Sequence, residues 1–163
     1  MTWVDYAVLA VLGVSAVLGL WRGFVREVLA LIGWVAAGII AVVFASQVAT
    51  VLPQDFATPL ARQLLAAAMI FVLVLIIAGL AGVLLAKLVR AVGLGALDRT
   101  LGSLFGFVRG AVIVLIAVLL VGVTGFPREP AWRDAQLRGP LETIAIFARA
   151  YLPEAIAVRV RYD

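Results

Sequence analysis

The residues of this chain that could do chemistry are a few charged side chains near two copies of the tetrapeptide Gly-Phe-Val-Arg, at 23–26 and 106–109. Arg109 has the sharpest functional interpretation, because it interrupts an apolar run that begins at residue 101. A cation inside a membrane span is costly unless it reaches the interface or finds a partner. We predict that Arg109 is buried or half-buried and paired, with Asp98 the favoured acidic partner and Glu27 the second. Such a pair is compatible with a structural or a functional role.

The depth of Arg109 depends on where the fourth apolar run enters the bilayer. If the helix enters near residue 101, Arg109 lies ~12 Å deep at 1.5 Å per residue. The alternative is that the membrane begins near Arg109, with the preceding turns in the interface. That alternative leaves only 111–123 as a span, which is shorter than the ~20 residues that ~30 Å of hydrocarbon requires.

The side chains on which most enzymes rely are missing. The chain has no histidine and no cysteine, which excludes imidazole bases, thiolate nucleophiles, disulfides and metal ligation through these residues. Ser15, Ser46 and Ser103 therefore have no histidine to activate them as nucleophiles. The glycine-rich turn at 93–95 lacks the lysine and the strand-to-helix context of a phosphate-binding loop. We expect no enzymatic activity, no cofactor and no metal.

The composition of the chain indicates that the charged residues are positioned by membrane-spanning helices. Hydrophobic residues make up 66% of the chain, charged residues only 13%, and the mean hydropathy is +1.21, which is typical of an integral membrane protein. At about 20 apolar residues per span, 163 residues have room for about four spans. We predict an all-α integral membrane protein with spans at 3–20, 28–45, 64–86 and 101–123, arranged as two antiparallel hairpins. The transmembrane domain covers 1–126, and a tail covers 127–163.

Positive charge predicts the orientation of the spans. The first and third links between spans hold six basic residues, whereas the second link holds only Arg62. The six are Arg22, Arg26, Lys87, Arg90, Arg99 and Arg109. Basic links stay on the cytoplasmic side, so both termini are expected on the periplasmic side. The basic residues are spread over the loops and are not clustered on one soluble face. The net charge of +4 therefore does not indicate nucleic-acid binding.

Small residues recur every fourth position inside the spans. The most regular stripe is Gly102, Gly106 and Gly110, and two others follow 33–45 and 78–86. In lipid, such stripes let helix backbones approach closely. Packing within one bundle is the preferred interpretation, and a subunit interface is the alternative.

The tail carries the pattern of a short amphipathic helix. From Pro140 onward, apolar residues repeat at i, i+3, i+4 and i+7, while Glu142 and Arg149 lie off that face. The apolar residues are Leu141, Ile144, Ala145, Ala148, Tyr151 and Leu152. The helix is expected either on the bilayer surface or docked on the bundle or a partner, and the periodicity does not distinguish these.

Several ordered motifs together resemble one known family. They are Asp5-Tyr6, the run from Arg22-Gly23 to Arg26-Glu27, the run Leu97-Asp98-Arg99-Thr100-Leu101-Gly102, the run from Phe105-Gly106 to Arg109-Gly110, and the tail from Trp132 through Gln136-Leu137 to Tyr151-Leu152. In these features the chain resembles the colicin V production protein family of bacterial inner-membrane proteins. The resemblance implies a role in producing or exporting a secreted peptide toxin and in cell-envelope homeostasis. It implies no known reaction and supplies no catalytic residues.

The functional expectations fall into different classes. The preferred one is a non-enzymatic inner-membrane accessory or transport-related protein that contacts a membrane-protein partner or forms a homo-oligomer. The first rival is a small oligomeric channel or holin-like pore, in which the glycine stripes are subunit seams and Arg22, Arg26 and Arg109 line an anion-favouring cytoplasmic mouth. The second rival is a structural chaperone for another membrane complex. The repeated tetrapeptide adds the hypothesis that spans one and two and spans three and four are equivalent halves, with Arg26 and Arg109 in corresponding places.

Overall fold

The fold is built on four long helices. The computed structural model describes residues 1–53, 58–124 and 126–151. The long helices are α1 (Trp3–Arg22), α2 (Phe24–Ala49), α3 (Pro59–Ala91) and α4 (Gly95–Val121). All four are long and apolar enough to cross a membrane, which confirms the predicted all-α membrane class and the four spans.

The helices extend beyond the apolar runs that predicted them. α3 is the longest at 33 residues, about 50 Å at 1.5 Å per residue, against ~30 Å of hydrocarbon. It starts at Pro59, where the Thr58 hydroxyl accepts a hydrogen bond from the Ala61 N–H at 3.3 Å, and it continues through Lys87 and Arg90. Charged residues continue a helix once it leaves the hydrocarbon, so hydropathy alone underestimates its length.

Glycines end two of these helices because the backbone turns there into the left-handed region. Gly23, between α1 and α2, has φ of 86°, and Gly93, between α3 and α4, has φ of 84°. Residues with a Cβ rarely adopt this conformation. Gly106, by contrast, lies inside α4. The two Gly-Phe-Val-Arg copies therefore differ in local structure at their glycines. The equivalence of the two halves stays a hypothesis.

The tail forms two further helices after a 3-10 turn at Phe126–Arg128. They are α5 (Pro130–Arg133) and α6 (Arg138–Arg149). α6 confirms the predicted amphipathic helix, although it begins before Pro140. Leu152 and the remainder of the predicted tail, as well as Asp55 in the second link, lie outside the described residues.

The chain divides into two compact units. The terminal unit consists of Met1–Trp21 and Ser103–Asp163, and the central unit of Arg22–Gly102. The core of the terminal unit combines Val4 of α1 and Val114 and Val118 of α4 with Trp132 and Ala145 of the tail. In this division the tail thus shares its core with the first and fourth spans.

Within the central unit, α2 and α3 pack through small residues. A Cβ on Gly33 would lie 2.6 Å from the Cβ of Ala78, so the two helices approach as closely as a glycine permits. Ala37, Ala41 and Ala45 continue the contact and are buried. The stripe along α2 is therefore a packing surface within the chain, as the four-residue spacing predicted.

Candidate functional site

The first polar cluster of interest lies within the terminal unit and joins α1 to α4. The Ser15 hydroxyl donates a hydrogen bond to the carbonyl oxygen of Gly106 at 2.7 Å, and it accepts one from Nε of Arg109 at 3.2 Å. Ser15 is buried. The same hydroxyl thus acts as donor and acceptor between two spanning helices. The sequence suggested Ser15 only as an unactivated nucleophile and missed this role.

Close backbone contact brings these polar groups together. A Cβ on Gly106 would collide with the carbonyl oxygen of Ser15 and would lie 3.1 Å from Cα of Gly19. One turn later, a Cβ on Gly110 would lie 3.0 Å from Cβ of Ser15 and 3.3 Å from Cα of Leu12. Gly106 and Gly110 therefore form the seam between α4 and α1 of one chain.

The structure gives Arg109 a hydroxyl partner on α1. Its side chain is partly buried, as the sequence predicted. Pairing of Arg109 with Asp98 or Glu27 stays a prediction. The bond to Ser15 could not be foreseen from the sequence, because it joins residues 94 positions apart and no periodicity relates them.

The second cluster lies within the central unit, where Asp98 caps the start of α2. Oδ1 of Asp98 accepts a hydrogen bond from the Val25 N–H at 2.9 Å. The first N–H groups of a helix have no partner inside the helix, and Gly23, at the N-cap position, has no side chain to supply one. A Cβ on Gly23 would collide with the Asp98 carboxylate. The glycine therefore provides both the turn and the space for a cap from α4.

Asp98 has a second oxygen that this contact does not use. Its side chain is buried, and Oδ2 has no hydrogen-bond partner within the described residues. A buried polar atom without a partner carries a desolvation cost. Among the predicted candidate residues nearby along the chain, Gly102 is buried and Arg99 is exposed.

Glu27 is a second buried carboxylate among the described residues of the central unit. Oε1 of Glu27 lies 3.8 Å from Nη1 of Arg22, whose side chain is 57% exposed while that of Glu27 is 3% exposed. An ion pair with one solvent-exposed partner stabilises only weakly. Arg26 is half-buried, and its Cα lies near Gly82 of α3. Because Gly82 has no side chain, the α2 backbone at Arg26 can approach α3 closely.

A third cluster, within the terminal unit, holds the tail against α1. Asp5 is fully buried. Its Oδ2 accepts hydrogen bonds from the Thr2 N–H at 2.8 Å and the Gln136 N–H at 3.1 Å, and its Oδ1 accepts one from the Leu137 N–H at 2.9 Å. The sequence placed Asp5 in a motif but not among the candidate site residues. An acidic residue at the head of an apolar run was the available signal.

Three side chains form hydrogen bonds within the tail itself. Glu142 Oε1 accepts hydrogen bonds from Nε1 of Trp132 and from Nε of Arg138, both at 2.8 Å. Trp132 is 2% exposed and belongs to the core of the terminal unit. The glutamate therefore joins α6 to the short helix α5. In the ranges that the structure describes, no three acidic side chains are grouped so that they could hold a metal ion.

The geometry can be compared with known proteins. The family model described as colicin V production protein matches residues 4–146, a range that contains all the residues of the three clusters except Thr2. The chain belongs to the colicin V production protein family. This membership confirms the resemblance that the motifs carried.

Two curated relatives of the colicin V production protein family align with most of the chain. A Haemophilus influenzae protein named colicin V production protein homolog is 37% identical over 135 residues, which cover 82% of each chain. The colicin V production protein of Escherichia coli K12 is 36% identical over 138 residues, which cover 84% of this chain and 85% of the relative. No solved structure matches the chain.

Proposed function

We propose that the protein is a non-enzymatic accessory or transport-related component of the bacterial inner membrane. In this role it supports cell-envelope homeostasis and the production or export of a secreted peptide toxin. The observation that carries the proposal is family membership across 4–146, combined with four helices able to span a membrane. The names of the two relatives refer to production of a toxin.

The bonds of the charged residues support a non-enzymatic role. Asp5 and Asp98 accept hydrogen bonds from backbone N–H groups, Glu142 joins two tail helices, and Arg109 binds a hydroxyl on α1. These are contacts that fix helices and the tail in place. An accessory protein needs such a scaffold to present a partner surface.

The proposal is tested by genetic complementation. A toxin-producing strain without its own family member should export less toxin and show greater detergent sensitivity, and the wild-type gene should restore both. Mild-detergent purification with crosslinking should then yield a stoichiometric membrane-protein partner or a homo-oligomer. Normal export and normal detergent resistance in the strain without the gene would refute the proposal.

The orientation is part of the same proposal. Six basic residues in the first and third links favour a cytoplasmic location for both links, which puts both termini on the periplasmic side. A reporter fused after residue 163 should therefore be active in the periplasm, and one inserted near residue 94 should be active in the cytoplasm. A cytoplasmic signal from the first fusion would exclude this orientation.

A small oligomeric pore is the second candidate from the sequence, and one observation disfavours it. Gly106 and Gly110, which the pore hypothesis uses at subunit seams, pack against α1 of the same chain. Planar-bilayer recordings of the purified protein distinguish the two functions. We expect no single-channel conductance, and reproducible unitary currents would favour the pore.

A further inference from the structure

The tail helix α6 presents an apolar side that the described residues leave exposed. Ile144, Phe147 and Tyr151 follow one another at three- and four-residue spacing, so their side chains lie on one side of the helix and of the turn after it. They are 54%, 70% and 80% exposed. The rings of Phe147 and Tyr151 pack edge to face, with their centroids 5.9 Å apart. An exposed apolar patch of this kind marks a contact with lipid or with another protein.

The start of α6 lies at the boundary of the hydrocarbon. Helix α1 has 20 residues and is about 30 Å long at 1.5 Å per residue, which equals the thickness of the hydrocarbon core. Asp5, in the first turn of α1, accepts hydrogen bonds from the N–H groups of Gln136 and Leu137. The residues just before α6 are therefore fixed at one end of a spanning helix.

Beyond its start, α6 borders a groove that extends into the bilayer. Leu141 and Ile144 line this groove, which has a volume of about 430 Å³ and whose other walls belong to α1 and α4. All of its lining residues are apolar. The groove extends to Leu12, which lies about 14 Å from the start of α1 at 1.5 Å per residue, and half of the hydrocarbon core is about 15 Å thick. Both α1 and α4 are candidate spans, so the groove connects α6 with the middle of the bilayer.

Three polar side chains of α6 form hydrogen bonds within the terminal unit. Oε1 of Glu142 accepts one from Nε1 of Trp132 and one from Nε of Arg138, both at 2.8 Å. The Thr143 hydroxyl donates to the carbonyl oxygen of Gly139 at 2.8 Å. An unpaired polar group is costly among acyl chains, because no water replaces the missing partner. These bonds therefore lower the cost of placing α6 in lipid.

We infer that α6 is embedded in the bilayer beside α1 and α4, with the patch of Ile144, Phe147 and Tyr151 against acyl chains and one acyl chain in the groove. The leaflet is the one at the Asp5 end of α1. The patch favours lipid over a protein partner because it is continuous with the surface of a spanning helix. Ile144 lines the groove together with Val112 of α4, which is 49% exposed. An amphipathic helix with its apolar side in the outer part of a leaflet is a known mode of membrane attachment. This placement is independent of the proposed function and of which side of the membrane holds the termini.

Spin labels on single cysteines test the position of the patch, because the chain has no cysteine of its own. The full-length protein in phospholipid liposomes is labelled at Phe147→Cys, at Ile116→Cys or at Asp134→Cys. Ile116 is a 53% exposed residue of the spanning helix α4, and Asp134 is an exposed charged residue of the tail. Electron paramagnetic resonance measures collisions of each nitroxide with O₂, which concentrates among acyl chains, and with a water-soluble nickel chelate. We expect the ratio of O₂ to nickel collisions at residue 147 to exceed that at residue 134 several-fold, as the ratio at residue 116 does.

Two other results would overturn the placement of α6. A ratio at residue 147 equal to that at residue 134 would show that the patch faces water. Few collisions with either reagent would show that protein covers the patch, whether residues 152–163, a second copy of the chain or a partner.

The groove is tested on the unsubstituted protein in lipid nanodiscs, by nuclear Overhauser effects from the acyl methylene protons. Leu12 and Val112 line the groove, whereas Ala145 is fully buried in the core of the terminal unit. We expect cross-peaks from acyl chains to the methyl groups of the two groove residues but not to that of Ala145. These cross-peaks should disappear in lipids with deuterated acyl chains. If neither groove residue gave a cross-peak, the acyl chain in the groove would be excluded.

Discussion

Replacing Gly106 by alanine tests the helix seam of the terminal unit most directly. The new Cβ would overlap the carbonyl oxygen of Ser15 and would lie 3.1 Å from Cα of Gly19. Neither contact is to a flexible side chain, so α1 must move away. Inserting a methyl group into a well-packed interface costs about 1–3 kcal/mol. Moving α1 also lengthens the Ser15–Gly106 hydrogen bond of 2.7 Å, and such interhelical bonds contribute about 0.6 kcal/mol in membrane proteins. We therefore expect Gly106→Ala to lower the free energy of unfolding by about 1.5–3.5 kcal/mol.

Two other glycines provide controls of the same chemical change. At Gly110 the added Cβ would lie 3.0 Å from Cβ of Ser15, a less severe overlap, so Gly110→Ala should lose less stability than Gly106→Ala. At Gly13, on α1, nothing lies within 4 Å of an added Cβ. Gly13→Ala should therefore leave the stability unchanged or raise it by up to about 1 kcal/mol, because alanine favours the helix over glycine. Gly106→Leu should prevent accumulation of folded protein.

The assay is unfolding in mixed micelles of increasing SDS fraction, followed by tryptophan fluorescence. Trp132 is 2% exposed in the core of the terminal unit, so its environment reports whether that unit is intact. We expect Gly13→Ala to be the most stable of the three variants, Gly110→Ala to be intermediate and Gly106→Ala to be the least stable. If Gly106→Ala unfolded at the same SDS fraction as Gly13→Ala, α4 would not contact α1 as described.

Three further predictions concern the buried carboxylates. Asp98→Ala leaves the Val25 N–H without its acceptor, and losing a helix cap typically costs about 1 kcal/mol. Hydrogen exchange at the Val25 amide should therefore become faster. An unchanged exchange rate would exclude the cap. If the predicted pairing of Arg109 with Asp98 holds, the double variant Arg109→Ala with Asp98→Ala should lose less free energy of unfolding than the two single variants lose together. Additive losses in SDS unfolding would exclude the pair. Asp5→Asn keeps the size of the side chain but leaves only one oxygen to accept hydrogen bonds from three N–H groups. The amide hydrogen of Leu137 should therefore exchange faster than in the wild type. Equal exchange rates would show that Asp5 does not hold the tail.

The spans and the tail helix were predictable because each depends on local composition. The apolar runs and the 3.6-residue period of α6 identify these elements without reference to the rest of the chain. The close approach at Gly106 was also predictable, because glycines at four-residue spacing in a spanning helix are typical of a surface against which another helix packs. The ends of the helices could not be predicted from hydropathy. For example, α3 continues through the charged residues Lys87 and Arg90, where hydropathy no longer indicates whether a helix forms.

The polar clusters were harder to predict because their partners are distant in the sequence or belong to the backbone. Ser15 binds a residue 91 positions away, and Asp5 binds two N–H groups more than 130 positions away. Charge alone suggested pairing Asp98 with another charged side chain. The observed partner of Asp98 is the N–H of Val25, and every non-proline residue offers such a group. The sequence therefore identified the important acidic residue but not its acceptor role.

The discontinuity of the terminal unit has a consequence for biogenesis. Ser15 and Gly106 are 91 residues apart, and at about 5–20 residues per second a ribosome needs about 5–18 s to synthesise that length. During this interval α1 is in the membrane before its seam partner on α4 has been made. The seam between α1 and α4 therefore cannot form until the second segment of the terminal unit has been synthesised.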